Sequence, residues 1–382
     1  MVRCFDLTVV PLGHLAPYFC VPKKKGKMTK KRVFILGSGF SRQLSGGKFP
    51  TSQKLISQLK KDMSHPVLLR NIQDIPQGDE IQKILSRLAL DNHIADEEKK
   101  EIMQNVSVSF QKQLSVWKLH KHKDEDGTAL ESAKELVKEL FKPGDVIISM
   151  NWDVLLEHIV DLNVATEGSK LYFDYGINST TTNSRYLASG SELILLKPHG
   201  SFNFFQMHIP FADRNDPTFH YLQADSSQEG SFLQNSPLLV AVAKHDNFFD
   251  STQKQQVFQE FRPQWSSDKT CKAEIVLPTH VKPFSNLTFL RLWQQTKCAI
   301  EVAKEIIFIG YSLPIEDVMM VYSLQNIRDK IIRFLGKKEA AEKIGTQLFL
   351  SLNAIKPYLT DNGYDGAYKN LIRDLNSQDV SA

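Results

Sequence analysis

The apolar positions of this chain fall into short continuous runs separated by longer stretches of helical spacing. Val33-Phe34-Ile35-Leu36 is the first run. Val146-Ile147-Ile148, Leu193-Ile194-Leu195-Leu196, Ile275-Val276-Leu277 and Ile306-Ile307-Phe308-Ile309 follow. Runs of this length without alternation read as strands buried on both faces of a parallel sheet. Between the first two, Leu55, Ile56 and Leu59 share a helical face, as do Ile81, Ile84, Leu85 and Leu88, and later Leu130, Ala133, Leu136, Val137 and Leu140. This pattern predicts an inserted helical module over residues 52–142. Helices are also predicted over 154–160 and 286–304, the latter carrying Leu287, Leu290, Leu292 and Trp293. Residues 202–270, rich in Asn, Gln, Ser, Asp and Phe, predict loops and short strands. From about Asp317 the chain reads as helical, with breaks at Gly336, Pro357 and Gly363. Strands alternating with helices define the fold class as α/β: a Rossmann-like, mostly parallel sheet with helices on both faces. The inserted module interrupts a domain over 28–320, and a C-terminal helical segment, 321–382, is expected to pack on the core.

Each predicted strand finishes in a glycine, proline or polar cluster, and in such sheets ligands lie beyond the carboxyl ends of the strands. The first cluster is Gly37-Ser38-Gly39-Phe40-Ser41. A glycine turn between a strand and a helix gathers backbone N–H groups that suit a phosphate. Read alone, it is equally a tight strand-to-helix turn with no ligand. The third glycine of a dinucleotide fingerprint would fall on Arg42, and no acidic residue ends a second strand some twenty residues later, which disfavours a conventional dehydrogenase. The loop from Leu44 to Pro50 has the composition of a lid.

The second strand ends in Asn151-Trp152-Asp153. An amide there can hold a sugar hydroxyl or a water without changing charge. Asp153, just before Val154-Leu155-Leu156, is suited to capping a helix. His199 lies between Pro198 and Gly200 at the third strand end. A lone histidine is commonly structural, but these neighbours fix and expose it, and an imidazole exchanges protons near neutral pH. Gly310-Tyr311-Ser312-Leu313-Pro314 closes the late strand, either as a plain sheet turn or as a site for a ribose or a second phosphate.

Composition narrows the field only a little. The net charge of +4 is spread over 382 residues, so direct nucleic-acid binding is not expected. Four scattered cysteines, Cys4, Cys20, Cys271 and Cys298, offer no Cys-x-x-Cys pair. They fit reduced thiols and a cytoplasmic location, and no metal-ligand spacing is evident. No apolar run approaches the ~20 residues that cross a bilayer. Residues 1–27 are expected to be a disordered basic tail, with Met28 as a candidate start. Their basic run Lys23-Lys24-Lys25 follows the apolar part, the wrong order for a secretory signal.

Taken together and in this order, Gly37–Ser41, Asn151–Glu157, His199-Gly200-Ser201 and Gly310–Pro314 resemble the sirtuin superfamily, specifically its sirtuin-like NAD-consuming branch in bacterial anti-phage defence. The resemblance covers about residues 32–320. It implies NAD+ as substrate, with Gly37, Ser38, Gly39, Phe40 and Ser41 on its diphosphate. Gly310, Tyr311 and Ser312 would lie near the adenosine half, Asp153 in the nicotinamide-side pocket, and Asn151 and His199 would be catalytic. Phe40 would shield the reactive sugar. The chain departs from protein-deacylating sirtuins in three places. It lacks their four-cysteine zinc module, reads Lys48-Phe49-Pro50-Thr51 where they carry an acidic Asp-Phe-Arg run, and has Trp152 in place of a smaller aliphatic residue. The expectation is therefore hydrolysis of NAD+ to nicotinamide and ADP-ribose, restrained by homo-oligomerisation or a regulatory protein partner. A non-catalytic NAD or ADP-ribose sensor, and a protein ADP-ribosyl or deacyl transferase, are the alternatives.

Overall fold

The computed structural model describes residues 32–47, 49, 91, 93–95, 98–99, 128–157, 159–160, 172–174, 192–206, 238–240, 273–275, 287–315, 317–360 and 364–379. Residues 1–27, most of the inserted module and most of 207–286 lie outside them. In chain order the elements begin with β1 (Arg32–Leu36), α1 (Ser38–Leu44), α2 (Thr128–Leu140), β2 (Val146–Ser149), β3 (Tyr172–Asp174) and β4 (Glu192–Leu196). Three short strands follow: β5 (Gly200–Gln206), β6 (Leu238–Val240) and β7 (Ala273–Ile275). The chain continues through α3 (Leu287–Val302), β8 (Glu305–Ile309), α4 (Val318–Ser323), β9 (Ile331–Gly336), α5 (Lys338–Gln347), β10 (Ile355–Leu359) and α6 (Tyr364–Asp379).

Seven strands form one parallel sheet in the order β10-β9-β8-β1-β2-β4-β3. β1 lies at its centre, and the chain winds away from it in both directions. This is the Rossmann-like α/β architecture expected of the alternating pattern. Every residue of β1 and β8 is buried. Successive strand residues point to opposite faces, so both faces of the central sheet are covered. The four apolar residues of β1, Val33 to Leu36, are 0–1% exposed, and Phe34 meets Phe141 edge-on at 4.9 Å between ring centroids. The remaining three strands make a separate antiparallel sheet, β6-β5-β7. The run around Glu274-Ile275 therefore belongs to this small sheet and does not bring a strand end to the main one.

The C-terminal segment departs from its helical expectation. It contributes β9 and β10 to the main sheet, each preceding a helix. Ile331-Ile332-Arg333-Phe334-Leu335 is an apolar run broken by a charge, which hides it as a strand. In the fold Arg333 is 1% exposed and forms a buried ion pair with Glu305, and its Nη1 donates to Tyr358 Oη at 2.6 Å. The apparent helix break at Pro357 lies inside β10, the last strand of the sheet. A proline lacks an N–H and is tolerated on such an edge. At the amino end of β1, Arg32 grips Asp145 with two bonds of 2.9 and 2.8 Å, tying the starts of β1 and β2 together. No helix among the described residues is long and apolar enough to cross a membrane.

Candidate active site

The carboxyl edge of the sheet is built on two glycine turns in backbone contact. α1 starts at Ser38, directly after Gly37, earlier than the helical spacing predicted from residue 52 onward, and Phe40 and Leu44 form its buried face. Gly37 N–H donates to Ile309 O at 3.0 Å, Gly39 N–H to Gly310 O at 3.0 Å, and Phe40 N–H to Gly37 O at 2.9 Å. A Cβ on Gly37 would lie 2.5 Å from Gly310 O, and one on Gly39 2.7 Å from Gly310 Cα. These glycines thus permit two chain segments, one after β1 and one after β8, to touch at the backbone. Three amides of the turn expected to cradle a diphosphate, those of Gly37, Gly39 and Phe40, are engaged inside the protein.

Asn151 hangs from this turn. Its Nδ2 donates to Gly37 O at 2.8 Å and to Ser41 Oγ at 2.9 Å. Gly37 O can only accept, so the amide nitrogen must face it, and the orientation of the side chain is settled by chemistry. Ser41 Oγ passes its own hydrogen to Asp153 Oδ2 at 2.7 Å. Asp153 Oδ1 accepts from Leu155 N–H at 3.1 Å, so Asp153 caps the short helical turn that follows. Both amide hydrogens of Asn151 are consumed by this chain of bonds, which leaves its carbonyl Oδ1 as the group that can meet a ligand. Burial pushes the Asp153 carboxyl above its ordinary value, and Lys197 and the bond from Ser41 pull it back. Lys197, 0% exposed at the end of β4, donates to Asp153 O at 2.5 Å and to Glu157 Oε1 at 2.8 Å. Burial also raises Glu157, against Lys197.

His199 occupies the β4 side of the same edge. It is 5% exposed, and its ring lies 5.7 Å from that of Trp293 on α3. Its Nε2 lies 3.3 Å from Asp317 Oδ1, and Tyr311 Oη donates to Asp317 Oδ2 at 2.6 Å. Burial, then the charge of Asp317, pushes the Tyr311 hydroxyl well above 10.0, so it stays a donor. β4 and β8 are separated by β2 and β1, three strand spacings or roughly 14 Å at ~4.8 Å each. The His199–Asp317 contact therefore joins a segment that follows β4 to one that follows β8, the strands that flank β1 and β2 in the sheet. Ser201 Oγ donates to Trp152 O at 3.2 Å, tying the histidine segment to the asparagine segment.

The two halves of the candidate site are placed as follows. Gly37, Ser41, Asn151 and Asp153 form one bonded network, and His199 and Tyr311 are joined through Asp317. Ser38 and Ser312 are exposed beside their turns, and Gly39 is partly buried. Phe40, expected to shield the sugar, is instead a core residue, 1% exposed and packed edge-on against Phe141 at 6.1 Å. Gly310 closes directly on Gly39 and Phe40. Sequence reasoning missed Lys197, Glu157 and Asp317. A lysine ending an apolar run, as Lys197 does, was the available signal for the first; Asp317 carries none, since it looks like a helix start. Among the described residues no three His, Cys, Asp or Glu side chains are grouped to hold a metal ion. Comparison of the chain with protein-family models and with curated proteins finds no match.

Proposed function

We propose that this protein is a sirtuin-like NAD+ glycohydrolase that releases nicotinamide and ADP-ribose. The observation that supports the reading is the anchored amide of Asn151, held by Gly37 O and Ser41 Oγ at the sheet edge that also carries the His199–Asp317 pair. Cleavage of the bond between nicotinamide and ribose sends its electron pair to the pyridinium nitrogen, so nicotinamide leaves neutral and needs no strong acid. Positive charge develops on the ribose. The carbonyl Oδ1 of Asn151 is a fixed dipole whose negative end suits such a cation or the hydrogen of an attacking water. His199 accepts a proton from that water or from a ribose hydroxyl. The balance is NAD+ and water giving nicotinamide, ADP-ribose and a proton.

The biological use that follows from the resemblance is depletion of NAD+ during phage infection, with homo-oligomerisation or a protein partner restraining the activity. The engaged amides of Gly39 and Phe40 favour a gated site, since a diphosphate would have to compete with Gly310 O and Gly37 O for them. The same observation favours the second reading, a sensor that binds NAD or ADP-ribose without turning it over. Incubation of the purified protein with NAD+, with nicotinamide and ADP-ribose followed by chromatography, separates them. Turnover that falls by about 10²-fold or more in both Asn151→Ala and His199→Ala, with folding intact, is the expected result. Full activity in both variants sinks the assignment. Saturable binding without turnover points to the sensor, and ADP-ribose on protein points to a transferase.

A further inference from the structure

Asp317 lies outside every motif that the sequence brings forward. It precedes α4 yet makes no side-chain capping bond to it. It is 2% exposed. A buried carboxylate is strongly disfavoured unless its oxygens are paired, and helix capping does not account for this one. What its oxygens do meet is an imidazole and a phenol. Oδ1 faces His199 Nε2 at 3.3 Å, and Oδ2 receives the Tyr311 hydroxyl at 2.6 Å. The loop that brings it there is strained. Leu313, fully buried, has φ +47, a left-handed conformation that L side chains rarely adopt. A loop held in such a conformation, delivering a buried carboxylate to a histidine three strands away, marks a constrained arrangement.

We infer that Asp317 is the positioning carboxylate of His199, holding its ring orientation and keeping its proton on Nε2, so that Nδ1 is the nitrogen that takes up a proton in the reaction. This rests on the NAD+-cleaving reading of the site. The chemistry is direct. An ionised carboxylate only accepts, so the nitrogen facing it must carry the hydrogen. Tyr311, a donor, keeps the carboxylate ionised and oriented. When the attacking water gives its proton to Nδ1, the imidazolium that forms lies beside a negative charge and is stabilised by it. The proton then leaves to solvent. The titratable groups facing Asp317 include His199 from the end of β4 and Tyr311 from the end of β8, and the ring of Trp293 on α3 lies 5.7 Å from that of His199.

The test uses the full chain with Asp317→Asn and Tyr311→Phe, and two measurements. One is the pH profile of kcat/KM for NAD+. The other is the titration of His199 by nitrogen NMR on protein labelled at histidine, assigned by the signal missing in His199→Gln. Asp317→Asn is expected to lower kcat by about 10²-fold or more while KM stays within about threefold. Losing the adjacent negative charge makes the imidazole less basic, so the acid limb of the profile and the NMR titration move to lower pH by about one unit. Tyr311→Phe withdraws a donor from Asp317, makes it a stronger acceptor, and moves both in the opposite direction. A merely structural residue would not produce two shifts of opposite sign. An unaltered His199 titration in Asp317→Asn overturns the proposal, as does a proton on Nδ1 in the wild-type neutral imidazole. If the wild-type protein does not cleave NAD+, the functional reading fails, and the NMR arm alone decides the pairing. A melting temperature for each variant shows that the fold is retained.

Discussion

Replacing Gly310 by alanine probes the backbone contact on which the candidate site is built. Gly310 has φ +61, in the left-handed region, where an L-residue costs roughly 1–2 kcal/mol. The added methyl carbon would lie 2.5 Å from Phe40 N and 2.6 Å from both Gly39 C and Gly39 Cα. All three are backbone atoms, held by β1 on one side and by the 3.0 Å bond from Gly39 N–H to Gly310 O on the other. No rotamer change can relieve the overlap, so the two turns must part, and overpacking of this kind costs about 1–3 kcal/mol. The total is about 2–5 kcal/mol. Gly144 provides the control: it has φ +90, and nothing lies within 4 Å of a Cβ added there. Gly144→Ala thus carries the conformational cost without the collision. Urea unfolding of both variants at matched slope isolates the steric part. The expected result is that Gly310→Ala loses at least about 1 kcal/mol more than Gly144→Ala. Equal losses in the two variants would refute the claim that the turns are in contact. Turnover of NAD+ should fall in Gly310→Ala as well, because Asn151 is anchored on Gly37 O, in the turn against which Gly310 packs.

Two further predictions concern the C-terminal part of the sheet. Phe349 follows α5 with φ +52 and is 82% exposed, while Leu350 N–H returns to Gly345 O at 2.9 Å, the geometry of a helix end that glycine usually occupies. Phe349→Gly should therefore raise stability by about 0.5–1 kcal/mol, the relief of strain less the entropy of a glycine, and a lowered denaturation midpoint would show that the phenyl ring is packed in solution. Asp374 on α6 is held below its ordinary value of 3.8 by Lys356 first and by the Tyr358 hydroxyl next. A depressed carboxyl stabilises the fold above its unfolded value and loses that contribution as pH falls through the lower folded one. Asp374→Asn should then cost stability near neutral pH and cost nothing in strong acid, and a difference that stays constant across urea titrations at the two extremes would contradict the assignment.

The buried runs of β1, β2, β4 and β8 determine by themselves that this is an α/β sheet, because three or four consecutive apolar residues can be satisfied only where both faces are covered. The glycines at 37, 39 and 310 and the polar residues at 151 and 199 were likewise legible, since each ends such a run. The strands β9 and β10 were not. Arg333 and Pro357 break their patterns, and each is acceptable only through a distant partner or an edge position: Glu305 and Tyr358 for the charge, the last place in the sheet for the imino acid. Phe40 shows the opposite error, a residue in a chemical motif whose side chain the packing claims for the core. What tertiary structure alone decided is which groups meet. Gly39 touches Gly310 and His199 touches Asp317 because parallel strands far apart in the chain end on one edge, and a loop-to-loop hydrogen bond leaves no local trace in the sequence on either side of it.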